Sequence, residues 1–143
     1  MKNNRPFFTV LFCLMTMSLV SQNILGKWKT IDDETGEEKS IVEIYENNGK
    51  VYGKIVEIFD RNKRDLPCKF CKDEDYNKPV LGLVIIKGLE KSGDVYKKGT
   101  ITNPEDGKVY DCRLKLDDNP NQLQVRGYVA FFYRTQYWVR VEG

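Results

Sequence analysis

The sequence contains no histidine and almost no serine, and these two absences remove several classes of enzyme. Beyond the first 22 residues the only serines are Ser40 and Ser92. A nucleophile activated by histidine, as in a Ser-His-Asp or Cys-His site, is therefore excluded, and so is zinc held by imidazole. Catalysis would have to depend on carboxylates, lysine, tyrosine or cysteine. We find no recognisable catalytic constellation among these, and we expect no cofactor.

Methionine is confined to the first 22 residues, a segment that has the layout of a secretory signal. Lys2 and Arg5 come first, and residues 7–20 are uncharged. A basic start followed by an apolar run predicts a signal peptide that is removed close to Asn23. The run is shorter than the roughly 20 apolar residues that cross a bilayer as a helix. We therefore expect a signal peptide at 1–22, and an exported domain at 23–143 that is periplasmic or extracellular and has no transmembrane segment.

Neither sign of charge is in excess after the signal. The 23 basic residues include Lys2 and Arg5, whereas all 21 acidic residues lie beyond residue 22, which leaves 21 of each. Such a balance provides no electrostatic footprint for nucleic acid or for an anionic membrane. The remaining chain of about 120 residues is long enough for one hydrophobic core and too short for two domains.

Apolar and polar residues alternate with a period of two through most of this chain, and turn-forming clusters interrupt them about every ten residues, which is typical of β-strands in a sandwich or barrel. Residues 60–79, which contain two prolines and two cysteines, break the rhythm and are expected to form one long loop. The pattern predicts eight strands, at residues 26–31, 39–45, 50–59, 81–89, 95–102, 108–116, 122–129 and 134–141.

Short connections between sequential strands predict an all-β fold, a single small antiparallel up-and-down barrel, because closure removes the exposed edges of an open sheet. The interior of an eight-stranded barrel is filled by side chains or holds one small ligand. Gly26-Lys27-Trp28 opens the first strand and resembles the Gly-x-Trp start of lipocalins, in which the tryptophan closes one end of the barrel under an arginine of the last strand. The resemblance implies that Arg140 stacks on Trp28, a cation-π contact of about 0.5 to 2 kcal/mol.

A more specific resemblance covers nearly the whole exported domain. The segments that carry it are 79–83 (PVLGL), 99–101 (GTI), 103–110 (NPEDGKVY), 125–128 (VRGY) and 134–141 (RTQYWVRV). In this order and spacing they resemble the exported bacterial proteins grouped as domain of unknown function 2147. The resemblance implies a lipocalin-like architecture and no established activity. Ala130 replaces the glycine usual in that family after Gly-Tyr-Val, and the following Phe131-Phe132-Tyr133 is bulkier than usual.

Cys68-Lys69-Phe70-Cys71 is a Cys-x-x-Cys motif in the long loop. In an oxidising compartment such a pair forms a small disulfide ring, binds a metal or exchanges electrons. Cys112 is the one other cysteine after the signal, so zinc with four thiolates lacks one ligand. We favour a structural disulfide between Cys68 and Cys71, and metal or redox chemistry remains the alternative. Cys112 shares a strand face with Tyr110 and Leu114, as a buried thiol would.

Two further groups of residues are candidate binding sites. The acidic clusters at 32–38 and 73–75 lack the alternating oxygen-ligand spacing of a calcium loop and are expected to be solvated turns. The chain is also rich in aromatic side chains, which serve either as core or as the walls of a ligand cavity. The residues predicted to line or gate such a cavity are Tyr110, Arg126, Tyr128, Arg134 and Trp138.

The leading hypothesis is an exported lipocalin-like barrel that binds a small, apolar or amphipathic ligand. The first alternative is a structural or interaction module of the envelope with a solid barrel, which the volume of the interior would distinguish. The second is an enzyme that depends on carboxylates or thiols, which two carboxyl groups facing each other in a pocket would favour. Strand patterns alone do not decide which residues point inward, and they do not define the oligomeric state.

Overall fold

The period-two alternation of the sequence corresponds to eight antiparallel strands in the computed structural model, which describes residues 23–142. The signal predicted at residues 1–22 lies outside the described residues. Each strand pairs with its neighbour in the chain, and β8 also pairs with β1, so the sheet is a closed barrel. This confirms the predicted all-β, eight-stranded up-and-down barrel. The strands are β1 (Gly26–Ile31), β2 (Glu38–Asn47), β3 (Lys50–Ile58), β4 (Val84–Ser92), β5 (Val95–Thr102), β6 (Val109–Leu116), β7 (Gln122–Val129) and β8 (Phe132–Arg140).

Alternate residues of each strand face the barrel interior, because successive side chains of a strand point to opposite faces of the sheet. On β7, Leu123 and Val125 are buried inside, whereas Gln124 and Arg126 between and beside them are partly exposed. The predicted face of β6 is likewise buried at Cys112 and Leu114. The core is therefore built from aliphatic side chains of several strands together with the two tryptophans.

Two strands begin two or three residues away from their predicted starts. β4 starts at Val84 rather than at residue 81, because Gly82 adopts a positive φ of 91° and its N–H donates to the carbonyl of Ile55. β8 starts at Phe132 rather than at residue 134, because Val129 pairs directly with Phe132 across a two-residue turn. The bulky segment after Ala130 is therefore a hairpin tip and not a longer loop.

The end of the barrel where β1 begins and β8 ends is closed by Trp28 and Arg140. These residues are cross-strand partners of β1 and β8, and the Arg140 guanidinium lies 4.3 Å from the centroid of the Trp28 ring. Trp28 is fully buried, and its indole N–H donates to the carbonyl of Ile24 at 2.8 Å. Arg140 also donates to the carbonyls of Asn23, Leu25 and Pro120. The guanidinium thus ties the segment before β1 and the β6–β7 turn to the last strand.

The long connection between β3 and β4 crosses the opposite end of the barrel. It contains two short 3-10 helices, Arg61–Lys63 and Asp73–Asp75, and a single β-bridge that joins Pro67 to Pro79. Cys68 and Cys71 form a disulfide in this loop, as predicted from their spacing, and both are buried. The loop is therefore held in one conformation over the barrel end that the tryptophan does not close.

Candidate ligand cavity

The interior of the barrel contains a cavity of about 1050 Å³ that is open to the surroundings at one end. Its mouth lies at the end of the barrel formed by the β1–β2, β3–β4, β5–β6 and β7–β8 connections. Residues of these connections, or of the strand ends beside them, contribute to the wall. The other end is closed by Trp28 and Arg140. The cavity is therefore a cup with one mouth. Its volume lies at the upper end of the roughly 300 to 1000 Å³ of typical small-molecule sites.

Most of the wall below the mouth is apolar. The side chains that form it come from β3, β4, β5, β7 and β8: Ile55, Ile58, Ile85, Ile101, Val125 and Trp138. Gly127 of β7 has no side chain that projects from this wall, and a Cβ atom added there would lie 3.4 Å from the Cβ of Tyr110. Polar groups are fewer and include Ser40, Thr102 and the ring of Tyr110 with its hydroxyl. Such a wall suits a ligand that is mainly apolar and carries few hydrogen-bonding groups.

A chain of hydrogen bonds runs along β8 from the apolar wall towards the mouth. The indole N–H of Trp138 donates to Oε1 of Gln136 at 3.1 Å, and the Gln136 amide donates to Oδ1 of Asp33 at 3.3 Å. Arg134 then donates to both oxygens of Asp33 through Nε and Nη2, each at 2.6 Å. This bidentate salt bridge between Arg134 and Asp33 lowers the pKa of Asp33 and raises the pKa of Arg134. Both groups therefore stay charged near neutral pH.

The same cluster joins β1 to β8 where the two strands no longer pair. Their ladder consists of two residue pairs, Trp28 with Arg140 and Lys29 with Val139, both at the closed end. Towards the mouth the β1–β2 connection is held to β8 by the side chains of Asp33, Arg134 and Gln136 instead. This side of the wall therefore depends on side chains and not on backbone hydrogen bonds.

A second charged cluster at the mouth joins the β1–β2 connection to the β5–β6 turn. Lys39 Nζ lies 3.0 Å from Glu105 Oε1 and 3.4 Å from Asp32 Oδ2. The hydrogen bond from Lys39 to Glu105 raises the pKa of Lys39. The backbone N–H groups of Thr35 and Glu34 donate to the Asp32 carboxylate and lower the pKa of Asp32 to about 2. The lowered pKa keeps Asp32 ionised, whereas a general acid needs a raised pKa.

Three of the five residues predicted to line the cavity lie on its wall: Tyr110, Arg134 and Trp138. Arg126 and Tyr128 do not, because they alternate along β7 with the inward-facing Val125 and Gly127 and therefore lie on the outer face. There the Arg126 guanidinium lies 4.5 Å from the ring centroid of Tyr133. This placement corrects the prediction for these two residues.

Sequence reasoning missed Gln136 and Asp33. A signal for Gln136 was available, because it lies between Arg134 and Trp138 at the period of two that places all three on one strand face. Asp33 had no such signal, since it lies in an acidic turn about which the alternation of the strands carries no information.

The disulfide loop forms part of the mouth and is tightly packed against the β5–β6 turn. Phe70, inside the four-residue ring, contributes to the cavity wall. A Cβ atom at Gly107 would overlap the backbone carbonyl of Phe70, so the turn and the loop meet at a position that only glycine fits. Cys112 is a buried free thiol, and burial raises its pKa to about 12. A thiol so rarely ionised is a poor nucleophile and a poor metal ligand.

A barrel whose sheet closes on itself and whose interior opens at one end is the architecture of a lipocalin. Comparison with known proteins agrees, because the structure resembles that of protein HP1028 from Helicobacter pylori, which is described as belonging to the lipocalin family. The two share 26% sequence identity, the similarity covers 84% of each chain, and the TM-score is 0.72. Residues 26–140 match the family model described as an uncharacterized protein conserved in bacteria (DUF2147), and the chain belongs to that family. No curated protein matches the sequence.

Within residues 23–142, no group of three or more histidine, cysteine, aspartate or glutamate side chains is arranged to hold a metal ion. In the same part of the chain no helix is long and apolar enough to cross a bilayer.

Proposed function

We propose that this protein is an exported carrier that holds one small, partly apolar molecule inside its barrel. The observation that carries the proposal is the cavity of about 1050 Å³, open at one end and closed at the other by Trp28 and Arg140. Close packing normally leaves few voids larger than a water molecule in a protein interior. A space of this size with a largely apolar wall therefore argues against the alternative of a solid structural barrel.

The chemistry of the wall indicates how a ligand would be oriented. The apolar part of the ligand would contact the isoleucines and Trp138, and its polar part would lie near the hydroxyl of Tyr110 and the amide of Gln136. Arg134 is already bound to Asp33 through two hydrogen bonds and so favours a ligand without a strong negative charge. Tyr110, Arg134 and Trp138 thus remain our proposed contacts, and Gln136 joins them.

An enzyme that depends on carboxylates or thiols has less support. At the mouth, Asp32 and Glu105 are paired with Lys39 and Asp33 is paired with Arg134, and the pKa values of Asp32 and Asp33 are lowered rather than raised. The disulfide sulfurs are buried, and so is the thiol of Cys112. We therefore propose a binding protein rather than a catalyst.

Export is the second part of the proposal. It is supported by the signal pattern of residues 1–22 and by a buried disulfide, a bond that is typical of oxidising compartments. N-terminal sequencing of the protein from the envelope fraction should place the first residue within a few positions of Asn23. Recovery from the cytoplasm with Met1 intact would contradict export. The same experiment on periplasmic and secreted fractions distinguishes the two destinations.

Native mass spectrometry of the protein purified from its own envelope tests ligand binding directly. A bound molecule should appear as a single added mass that is lost on denaturation, and its mass would indicate its chemical class. Only the unliganded mass, found repeatedly under gentle ionisation, would count against a tightly held ligand.

A pair of neighbouring positions on β7 offers a matched test of the cavity in solution. Gly127→Leu places a side chain among Tyr110 and Ile101 inside the barrel, whereas Arg126→Leu places the same side chain on the outer face. Binding of the neutral fluorophore N-phenylnaphthylamine should fall at least about tenfold in the first variant, a change of about 1.4 kcal/mol. It should stay within about twofold in the second. Equal effects of both variants would mean that the fluorophore does not occupy the cavity.

A further inference from the structure

The tip of the β7–β8 hairpin is the most exposed aromatic feature of the described residues. Phe131 is 99% exposed, Phe132 78% and Tyr133 61%. Ala130, which precedes them, has a positive φ of 50°, a conformation that is unfavourable for a residue with a Cβ atom. Exposed apolar clusters of this kind mark contact sites for another protein or for a membrane. The hairpin therefore presents three consecutive aromatic rings to the surroundings.

The base of this tip is held rigidly. The ring of Tyr133 packs against the guanidinium of Arg126, 4.5 Å from the ring centroid, and against the ring of Tyr128, with 5.9 Å between the centroids. Arg126 is itself fixed by a hydrogen bond from Nε to Oγ1 of Thr135 at 3.0 Å. Ordering these side chains in advance reduces the entropy that is lost when the tip enters another phase.

The area of the tip is too small for a stable contact with a second protein. Aromatic side chains bury roughly 150 to 250 Å² each, so the exposed fractions of the three rings correspond to at most about 600 Å². A stable protein interface takes about 800 Å² from each partner. The tip is also convex, whereas stable interfaces bury their aromatic anchors in pockets. A fluid surface has no such requirement of shape.

The charges around the tip identify the kind of surface. Residues 129–133 carry no charge, and the nearest arginines, Arg134 and Arg126, are occupied by Asp33 and by the Tyr133 ring. The charged residues that line the cavity are six acidic, Asp32, Glu34, Glu37, Glu38, Asp60 and Glu105, and four basic, Lys39, Lys63, Lys69 and Arg134. The rim thus offers no excess of positive charge to an anionic surface, and entry of the tip into an apolar layer desolvates no unpaired charge.

We propose that the hairpin tip is a docking element that inserts into the apolar layer of a lipid surface without requiring net lipid charge. Val129, Phe132 and Tyr133 also border the cavity mouth, so insertion would direct that mouth towards the lipid. Docking rests only on the exposed tip, and it would hold even if the cavity were found to bind nothing.

Flotation with vesicles tests the proposal with the protein recovered after export. The chain should float with phosphatidylcholine vesicles, and Phe131→Ser should lower its partition at least about tenfold, since burying a phenylalanine contributes about 1.5 to 3 kcal/mol. Phe131 is not part of the cavity wall, so this variant leaves the proposed ligand site intact. Tyr76→Ser is the matched control, because Tyr76 is exposed to a similar degree as Tyr133 but lies in another connection and does not line the cavity. It should change partition less than about twofold.

Fluorescence locates the tip in the bilayer. Phe131→Trp adds an exposed indole to a protein whose own Trp28 and Trp138 are buried. Lipids with brominated acyl chains should quench the new indole and leave the emission of the parent protein nearly unchanged.

Three results would overturn the proposal. The first is no flotation of the parent protein, and the second is flotation that Phe131→Ser leaves unchanged. The third is binding only to anionic vesicles that disappears with added salt, which would assign the contact to charge. Self-association that Phe131→Ser abolishes, without vesicle binding, would instead assign the tip to a second copy of the chain. Binding of N-phenylnaphthylamine by Phe131→Ser, measured alongside, separates failure of docking from failure of the carrier proposal.

Discussion

The contact between Trp28 and Arg140 at the closed end of the barrel allows a quantitative prediction. Replacing the fully buried Trp28 by alanine should cost about 3 to 5 kcal/mol, a large part of a total stability of roughly 5 to 15 kcal/mol. Trp28→Leu is therefore the better variant, because it keeps part of the apolar volume and the protein should remain folded. It removes both the ring below Arg140 and the N–H that donates to Ile24.

Arg140→Ala removes two kinds of interaction. One is the cation-π contact with Trp28, about 0.5 to 2 kcal/mol. The other is the set of hydrogen bonds to the carbonyls of Asn23, Leu25 and Pro120, which are partly exposed and together should contribute about 2 to 3 kcal/mol. Only the first depends on the tryptophan. The double variant should therefore be more stable than the sum of the single losses predicts, by about 1 kcal/mol.

Urea denaturation followed by far-ultraviolet circular dichroism measures these free energies without using the tryptophans as probes. Ile86→Ala combined with Arg140→Ala is the control, because Ile86 lies on β4, separated from β8 by three strands in either direction around the barrel. That pair should be additive within about 0.5 kcal/mol. Additivity of the Trp28 and Arg140 variants to the same accuracy would show that the ring contributes nothing to holding the arginine.

Three further predictions concern the mouth of the cavity. Asp33→Asn should destabilise the protein by up to about 1 kcal/mol at pH 7. Because folding lowers the pKa of Asp33, the difference in unfolding free energy between variant and parent should shrink below about pH 4, where the carboxylate is protonated. A difference that persists at pH 2 in urea titrations would contradict this. Replacing Cys68 and Cys71 together by alanine, which suits their buried positions, should cost well under the roughly 2 to 4 kcal/mol of a typical disulfide, because so short a ring restricts little chain entropy. Mass mapping without reductant checks the bond, and outright unfolding of the variant would refute the modest effect. Gly107→Ala should destabilise the protein by about 2 kcal/mol more than Gly36→Ala in thermal or urea unfolding, because both glycines have a φ of 72° but only Gly107 packs against the disulfide loop. Equal losses of stability in the two variants would mean that this packing does not matter.

Several features of this protein follow from its sequence alone. The period of two and the spacing of the turns predict the eight strands and their order, because an alternating chain with short connections buries one face most simply in a meander. β5 and β7 lie at the predicted residues. The absence of histidine removes whole classes of enzyme, and two cysteines three positions apart are close enough to pair as they do.

The tertiary structure decided which face of each strand lies inside. The alternation of apolar and polar residues indicates only that neighbouring side chains lie on opposite faces of the sheet. β7 carries arginine and tyrosine on one face and glycine and valine on the other, and hydrophobicity alone does not decide which of these faces lines the cavity. Closure of the barrel places Gly127 inside and leaves Arg126 and Tyr128 on the outer face, although the sequence predicts that these two residues line or gate the cavity.

The contacts between distant segments also required the fold. Asp33 and Arg134 are 101 residues apart and meet because the closed sheet brings the β1–β2 connection beside β8, where the backbone ladder has ended. The volume of the cavity has the same origin, since it depends on how many inward side chains are small and on where Gly127 falls in the register with β6. Local pattern specifies the strands, whereas the space between them is a property of all eight together.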